Sequence, residues 1–486
     1  MGVVLKQSFK NTIVTFAAFG IGGVNALFLY TNFLTGEYYG LVTYLLSTAN
    51  LLMPLTAFGV QYSIVKFFSS YTSKIERDKF LSASLLFPLI IAIPFGFIGT
   101  VFYEQISSFL SIKNPIIKDF TWVIYLVAIA TAYFEIFYAW AKVQMQSVFG
   151  NILKEMFSRI AVTILLMLVF LEVIDQVEFI YCLTGAYFIR AFVMLLYALK
   201  LYTPKFTFQL PTNYKEVFKY ASYIILAGSA GAILLDIDKF MIPQKEAIAY
   251  TAYYSVGVYI ASLLEAPGRA MAQIIQPITA KALNEDNATE IYKLYKSTSI
   301  NLLLICGLFF LLINLNIDQG YLLIDEKYSQ GVWVVFMISI AKLYTMALGN
   351  NGAIISNSKH YKILLPYAIA MALAVIFLNN WLISLYRMNG AALSTLIVLL
   401  FFNTVKIWYV KKRFNIYPFT RKTVYLLLIL TAVYSMFFFW NFNLHPILNI
   451  VLKGALISVS YLILVYKLNI SSDINTIINK FIKSNQ

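Results

Sequence analysis

The sequence predicts an all-α integral membrane protein with about fourteen transmembrane helices. Three observations predict it. Of the 486 residues, 60% are apolar and only 12% are charged; apolar stretches of about 20 residues recur from end to end; and basic residues concentrate in every second connection. Because soluble domains carry roughly 25% charged residues, the composition excludes a soluble enzyme.

Each apolar stretch is long enough to cross the hydrocarbon core, where a helix satisfies its own backbone hydrogen bonds. The connections are too short for a separate folded domain, so the function is expected to lie within the bilayer. In chain order, the predicted spans are 11–30, 39–60, 80–102, 120–141, 158–174, 178–199, 219–242, 247–268, 297–316, 331–354, 363–385, 389–410, 423–440 and 446–467.

The distribution of the 37 lysines and arginines tests this map. Four lie within spans and 28 lie in connections on the side of the N-terminus, which leaves five on the other side, namely Lys113, Lys118, Lys245, Lys327 and Arg387. Positively charged connections stay in the cytoplasm. Both termini are therefore predicted to be cytoplasmic, and the net charge of +15 does not require a nucleic-acid partner.

Cysteine and histidine are too sparse for a disulfide framework or a metal centre. Cys182 and Cys306 fall inside apolar stretches, and His360 and His445 lie far apart in short connections. The sequence therefore predicts no metal site and no cofactor.

Two segments 205 residues apart resemble each other and indicate an internal repeat. Thr184-Gly185-Ala186-Tyr187 opens the sixth span, and Asn389-Gly390-Ala391-Ala392 opens the twelfth. An even number of spans per repeat keeps both copies in the same orientation. We therefore predict two parallel six-helix lobes around a central cavity (1–204 and 205–413), followed by two further helices and a cytoplasmic tail (414–486), which is an architecture of transporters.

Two cations fall near the middle of predicted spans, one in each lobe. A charge at that depth costs at least about 2.5–3.5 kcal/mol, so Arg190 and Lys342 require a reason. Facing one cavity, they would bind an anionic substrate such as a phosphate or diphosphate. The alternative is that each pairs with a fixed acid such as Glu135 and ties helices together. Glu135 is itself a candidate for the cavity wall.

The remaining charges within or beside spans are candidates for a gate or for local ion pairs. Their spacings of three and four residues put potential partners on one helix face. This set comprises Asp236, Asp238 and Lys239 in the seventh span, and Glu265 and Arg269 around Pro267 in the eighth.

The chain resembles the Wzx-type oligosaccharide flippases of polysaccharide biosynthesis, which belong to the multidrug/oligosaccharidyl-lipid/polysaccharide exporter superfamily. Tyr223 stands where that family has a proline. The resemblance extends over nearly the whole chain and rests on Gly36-Glu37-Tyr38-Tyr39-Gly40-Leu41 with Gly59 and Lys66-Phe67-Phe68, on Lys219-Tyr220-Ala221 through Asp236-Ile237-Asp238-Lys239-Phe240-Met241-Ile242, and on Asn389-Gly390-Ala391-Ala392-Leu393-Ser394-Thr395.

This resemblance implies a multi-pass protein of the bacterial inner membrane that is not an enzyme. It implies alternating access, and as cargo an undecaprenyl-diphosphate-linked oligosaccharide for surface polysaccharides such as the O-antigen of lipopolysaccharide. Membrane lipids and a coupling ion, H⁺ or Na⁺, are the other expected partners.

Three alternatives remain open at this stage. Two belong to the same superfamily: a cation-coupled multidrug exporter, although the first three spans carry no acidic residue, and a lipid II flippase. The third is a membrane polysaccharide polymerase or ligase, which would be expected to carry a large outward loop that this sequence lacks.

Overall fold

The computed structural model describes residues 3–471, 473 and 475, with the side chains of all of these except 3–6, 8, 9 and 273. Within these residues the chain forms helices joined by short turns, and no strand is present. The predicted all-α class is thereby confirmed. Most of the predicted cytoplasmic tail lies outside the described residues.

The described chain divides into two compact units. The first contains the residues up to Ser255 together with Ala368–Arg387, and the second contains Val256–Tyr367 together with the residues from Met388 onward. The six-helix lobes 1–204 and 205–413 stay a prediction.

The helices of the first unit alternate between long membrane-spanning segments and short pieces. Two π-helical turns, Asn25–Leu29 and Leu153–Phe157, interrupt this series of helices. Its helices are α1 (Val3–Val24), α2 (Tyr30–Phe33), α3 (Gly36–Thr56), α4 (Val60–Phe67), α5 (Lys74–Val101), α6 (Tyr103–Leu110), α7 (Ile117–Val143), α8 (Val148–Ile152), α9 (Ser158–Phe170), α10 (Gln176–Leu201), α11 (Tyr214–Lys245) and the first half of α12 (Ala249–Ser262).

The second unit begins within α12. Its further helices are α13 (Ala266–Asn284), α14 (Ala288–Ile324), α15 (Val332–Ala347), α16 (Asn351–Ser356), α17 (Leu364–Phe414, of which Ala368–Arg387 belongs to the first unit), α18 (Arg421–Phe438) and α19 (Pro446–Lys467).

Eleven helical segments of the described chain are long and apolar enough to cross a membrane. One of them, Tyr361–Phe414, contains two predicted spans, 363–385 and 389–410. Arg387 lies between these spans and has a non-helical backbone (φ 52°, ψ −137°), which divides α17 into two helices. The predicted spans 158–174 and 247–268 correspond to α9 and α12, which are only 13 and 14 residues long. The count of fourteen, like the location of the termini, therefore remains a prediction.

Helix α10 has a sharply defined start. Asp175 accepts hydrogen bonds from the backbone N–H groups of Val177 (2.8 Å) and Glu178 (2.7 Å), and the Glu178 carboxylate accepts one from the Asp175 N–H (2.9 Å). This reciprocal cap satisfies amides that the first helical turn leaves without partners. It fixes where α10 begins and so which of its residues lie at mid-helix.

An apolar core joins α10 to its neighbours in the first unit. Phe134 and Trp140 of α7, Leu153 of the second π-helical turn, and Ala191 and Met194 of α10 all belong to one buried cluster. Because such cores tolerate little change in volume, the side chains that project from these three helices are held in fixed positions.

Helix α3 approaches the backbone of residue 248 at a position that only glycine fits. A Cβ atom built on Gly40 would lie 2.1 Å from the Ile248 carbonyl oxygen, whereas one on Gly36 would lie 3.6 Å from its nearest neighbour, the Ala249 Cβ. There is thus no room for a methyl group at Gly40, whereas there is room for one at Gly36.

We predict that Gly40→Ala destabilises the protein by about 1–3 kcal/mol, the usual cost of overpacking, while Gly36→Ala does not. The measurement is the midpoint of thermal unfolding of the purified protein in detergent. Equal midpoints for the two variants would contradict the close approach of α3 to residue 248.

Candidate functional site

Arg190 lies near the middle of α10 and is 6% exposed. Its Nη1 donates a hydrogen bond to the Ser158 hydroxyl on α9 (2.9 Å), and its Nη2 donates a long one to the Thr131 hydroxyl on α7 (3.5 Å). Its Nε donates to no atom of the described residues. Since a guanidinium carries five N–H donors, this cation retains capacity for another acceptor.

Two aromatic rings complete the surroundings of the guanidinium. The Arg190 Cζ lies 4.4 Å from the ring centre of Phe134 and 4.6 Å from that of Tyr187. The negative faces of the rings attract a cation, with roughly 2 kcal/mol per contact when it is desolvated. The rings therefore stabilise the charge without neutralising it.

No carboxylate of a described residue lies within 4.0 Å of the Arg190 nitrogens. The carboxylate proposed from the sequence, Glu135, instead pairs with Lys154 at 2.6 Å, and Glu155 pairs with Arg159 at 2.9 Å. The groups that directly contact Arg190 are thus neutral, and the side chain keeps its positive charge.

Lys342, the second predicted cation, has a different environment in the second unit. Its Nζ lies 2.7 Å from Glu265 Oε1, and the other oxygen of the same carboxylate lies 3.1 Å from Arg269 Nη2. The i,i+4 pair of Glu265 and Arg269 is as predicted; Lys342 pairs with an acid, as in the alternative interpretation, but this acid is Glu265 and not Glu135. One carboxylate is therefore shared by two cations.

A short 3₁₀ segment lies beside this triad. Glu265 ends the short 3₁₀ segment Leu263–Glu265, and Pro267 lies in the first turn of α13, where its missing N–H leaves no hydrogen bond unmade. This 3₁₀ segment thus separates α12 from α13, and the gate predicted around Pro267 stays a prediction.

A cavity of about 300 Å³ begins one helical turn from this triad. Its lining combines small residues, methionines and uncharged polar groups, including Gly268, Met271, Gln276, Thr298, Asn350 and Ser356. Such a lining offers hydrogen bonds and an apolar surface together, which is typical of small-molecule sites.

The acidic residues of α11 separate into an ion pair and a hydrogen-bonded carboxylate. Asp236 binds Lys239 at 3.0 Å, as its i,i+3 spacing predicts, and accepts a hydrogen bond from Asn50 (3.3 Å). Asp238 is 8% exposed and accepts hydrogen bonds from Asn379 Nδ2 (2.6 Å) and the Tyr254 hydroxyl. Among the described residues, no group of three or more histidine, cysteine, aspartate or glutamate side chains is arranged to hold a metal ion.

The sequence did not single out the residues that surround Arg190. One signal was available: Tyr187 precedes Arg190 by three residues, which places both on one helix face. The cavity predicted to face both Arg190 and Lys342 stays a prediction, because the two cations lie in separate units.

Comparison with known proteins places the chain in a family. A family model described as polysaccharide biosynthesis protein matches residues 4–273, more than half of the chain. The chain belongs to this family. The resemblance inferred from sequence motifs is thereby confirmed, while no curated protein sequence matches the chain significantly.

Solved structures of transporters share the fold. The lipid II flippase MurJ in an inward closed conformation is 16% identical with a TM-score of 0.73, and the similarity covers 95% of this chain and 99% of that one. A multidrug resistance MATE family transporter of the MOP superfamily in an inward-facing conformation is 13% identical with a TM-score of 0.56, covering 83% and 94%. At these identities the similarity shows the fold.

We predict that the Lys342–Glu265 pair stabilises the second unit. Because loss of one partner leaves a mostly buried charge unpaired, Glu265→Gln and Lys342→Gln should each destabilise the protein, by up to about 3–5 kcal/mol, and so lower its thermal unfolding midpoint. The double variant Glu265→Gln/Lys342→Gln should unfold nearer to wild type than either single variant. Additive losses in the double variant would contradict direct pairing.

Proposed function

We propose that the protein is a flippase for a lipid-linked oligosaccharide. It moves the headgroup of an undecaprenyl-diphosphate-linked oligosaccharide from the cytoplasmic to the outer leaflet of the bacterial inner membrane by alternating access, for surface polysaccharides such as O-antigen. Membership of a polysaccharide biosynthesis family and a fold shared with a lipid II flippase support this proposal.

The observation that carries the proposal is the environment of Arg190. A cation buried among hydroxyl groups and aromatic rings, with an Nε–H that has no acceptor among the described residues, attracts an anion more strongly than one already paired with a carboxylate. Guanidinium groups bind phosphate oxygens in pairs of parallel hydrogen bonds. The diphosphate is the part of the substrate that most needs such compensation in a medium of low dielectric constant.

The second unit contributes in a different way. Glu265 and the two cations that share it carry one net positive charge near a mainly apolar cavity whose uncharged polar groups can hydrogen-bond to a ligand. We assign Lys342 a weaker contact with the headgroup, and Glu265 with Arg269 a gate at the 3₁₀ segment between α12 and α13. Asp236, Asp238 and Lys239 remain candidates for a gate or for coupling to H⁺ or Na⁺.

A lipid II flippase is the second candidate, favoured by the TM-score of 0.73 against MurJ over 99% of that chain. Both candidates use the same diphosphate chemistry at Arg190 and differ in the rest of the headgroup. A cation-coupled drug exporter, with the MATE fold, would not need this cation.

We predict that Arg190→Ala lowers transport about 10- to 100-fold, which corresponds to the 1.5–3 kcal/mol of a hydrogen bond to a charged group. Arg190→Lys should retain part of the activity, because lysine keeps the charge but loses the planar fork. The measurement is surface polysaccharide, together with lipid-linked single repeat units inside the cell, in a strain whose only copy of the gene carries the variant.

Lys200→Ala serves as the matched control, because Lys200 is an exposed cation at the end of the same helix. It should transport normally at equal protein level. Normal surface polysaccharide with Arg190→Ala would remove Arg190 from the mechanism, and exported but unpolymerised repeat units on loss of the gene would identify a polymerase instead.

A further inference from the structure

Arg190 and the Glu135–Lys154 ion pair form two adjacent layers between the same two helical segments. On α7, Thr131 and Glu135 are four residues apart; on the segment facing it, Lys154 and Ser158 are also four residues apart. Side chains at this spacing lie on one face, about 5–6 Å from each other. One layer therefore consists of the hydroxyls that bind Arg190, and the next of an ion pair one helical turn away.

The ion-pair layer lies on the side of the turn 144–147, which connects α7 to α8. Exposure decreases away from this turn: the side chain of Lys154 is 42% exposed, that of Glu135 is 15% exposed, and Arg190 is 6% exposed. The predicted topology places this turn in the cytoplasm. A headgroup that enters from the cytoplasm then meets Lys154 before it reaches Arg190.

The charges of the two layers do not suffice for a diphosphate while the ion pair is intact. Arg159 is engaged by Glu155 through both its carboxylate (2.9 Å) and its backbone carbonyl, and Lys154 is engaged by Glu135. Of the described cations in these two layers, Arg190 is then the one without a carboxylate partner; Lys142, two helical turns from Glu135 toward the turn 144–147, lies over the Tyr138 ring (3.8 Å). A diphosphate linked to a lipid and a sugar is ionised at both phosphates, so a second cation is needed to balance it.

Resting on the proposed function, we propose that Glu135 is an internal substitute for the substrate anion. In the empty site its carboxylate holds Lys154; when a diphosphate arrives, one phosphate binds Arg190 and the other takes Lys154 from Glu135. Lys154 is thus a substrate-binding residue, and Glu135 is a competitor for it that weakens binding.

Such competition serves a carrier, because a site must bind its cargo firmly enough to load and weakly enough to release it. When the headgroup leaves, Glu135 recovers Lys154 and the cation is never left unpaired. The exchange replaces one ion pair by another and releases the Glu135 carboxylate, which stays within electrostatic range of Lys142, two helical turns away on α7.

The test is a double-mutant cycle on the purified full-length protein in lipid nanodiscs. The probes are inorganic pyrophosphate and farnesyl diphosphate, and the measurement is the dissociation constant by titration calorimetry. Glu135→Gln should bind both probes about tenfold more tightly and Lys154→Gln about tenfold more weakly, in line with one charge-assisted hydrogen bond. Glu135→Gln/Lys154→Gln should bind like Lys154→Gln alone.

Glu76→Gln is the matched control, since it frees Lys79 from a comparable ion pair (3.1 Å) elsewhere in the first unit. This variant should change the affinity for either probe less than about twofold. A single symmetric peak in size-exclusion chromatography verifies that each variant is folded.

Two results would overturn the exchange. In the first, Glu135→Gln improves binding equally with and without Lys154, because Glu135 then acts only as a distant negative charge. In the second, Glu135→Gln weakens binding. Arg190→Ala separates this failure from failure of the proposed function. Unchanged affinity in Arg190→Ala contradicts the anion site itself, whereas lost affinity together with an additive cycle leaves the site and removes only the exchange.

Discussion

A charge inside a membrane protein must be compensated by the protein itself, and the first unit compensates Arg190 with neutral groups. Two hydroxyls and two ring faces lower the cost of burying the guanidinium, and the core shared by α7, the π-helical turn and α10 holds them in place. A carboxylate in the same position would stabilise the fold more and would cancel the attraction for an anion. The fold can thus accommodate the buried guanidinium, which still has hydrogen-bonding capacity for an anion.

The second unit meets the same constraint by pairing. Glu265 neutralises one of two neighbouring cations, Lys342 and Arg269, so their combined charge is shared over three side chains. The sequence treats Arg190 and Lys342 as equivalent midplane cations. Their surroundings differ, and this difference is why the proposed diphosphate contact is assigned mainly to Arg190.

What the sequence could predict depends on whether the partners share a helix. The pairs Asp236–Lys239 and Glu265–Arg269 follow from spacing alone, since the helical repeat fixes which residues meet. The pairs Glu135–Lys154 and Lys342–Glu265 join different helical segments, and no periodicity within one segment reveals how two segments pack. For the same reason, Phe134 and Tyr187 could not be distinguished from the many other aromatic residues.

The fold was more accessible than the site. Apolar length and the distribution of basic residues gave the helical membrane class, because lipid leaves the backbone few alternatives. Span lengths were less accurate where the backbone departs from the α-helix: the π-helical turn Leu153–Phe157 precedes the shortened α9, and the 3₁₀ segment Leu263–Glu265 follows α12.

The most direct test of an anion site at Arg190 is the chemical reactivity of a thiol beside it. Ser158→Cys places the thiol next to the guanidinium in a protein whose Cys182 and Cys306 are replaced by serine. The rates of labelling by anionic and cationic methanethiosulfonates are compared. We expect the anionic reagent to react faster and pyrophosphate to slow it. Absence of labelling in the folded protein, or equal rates that pyrophosphate does not change, would contradict an open anion site.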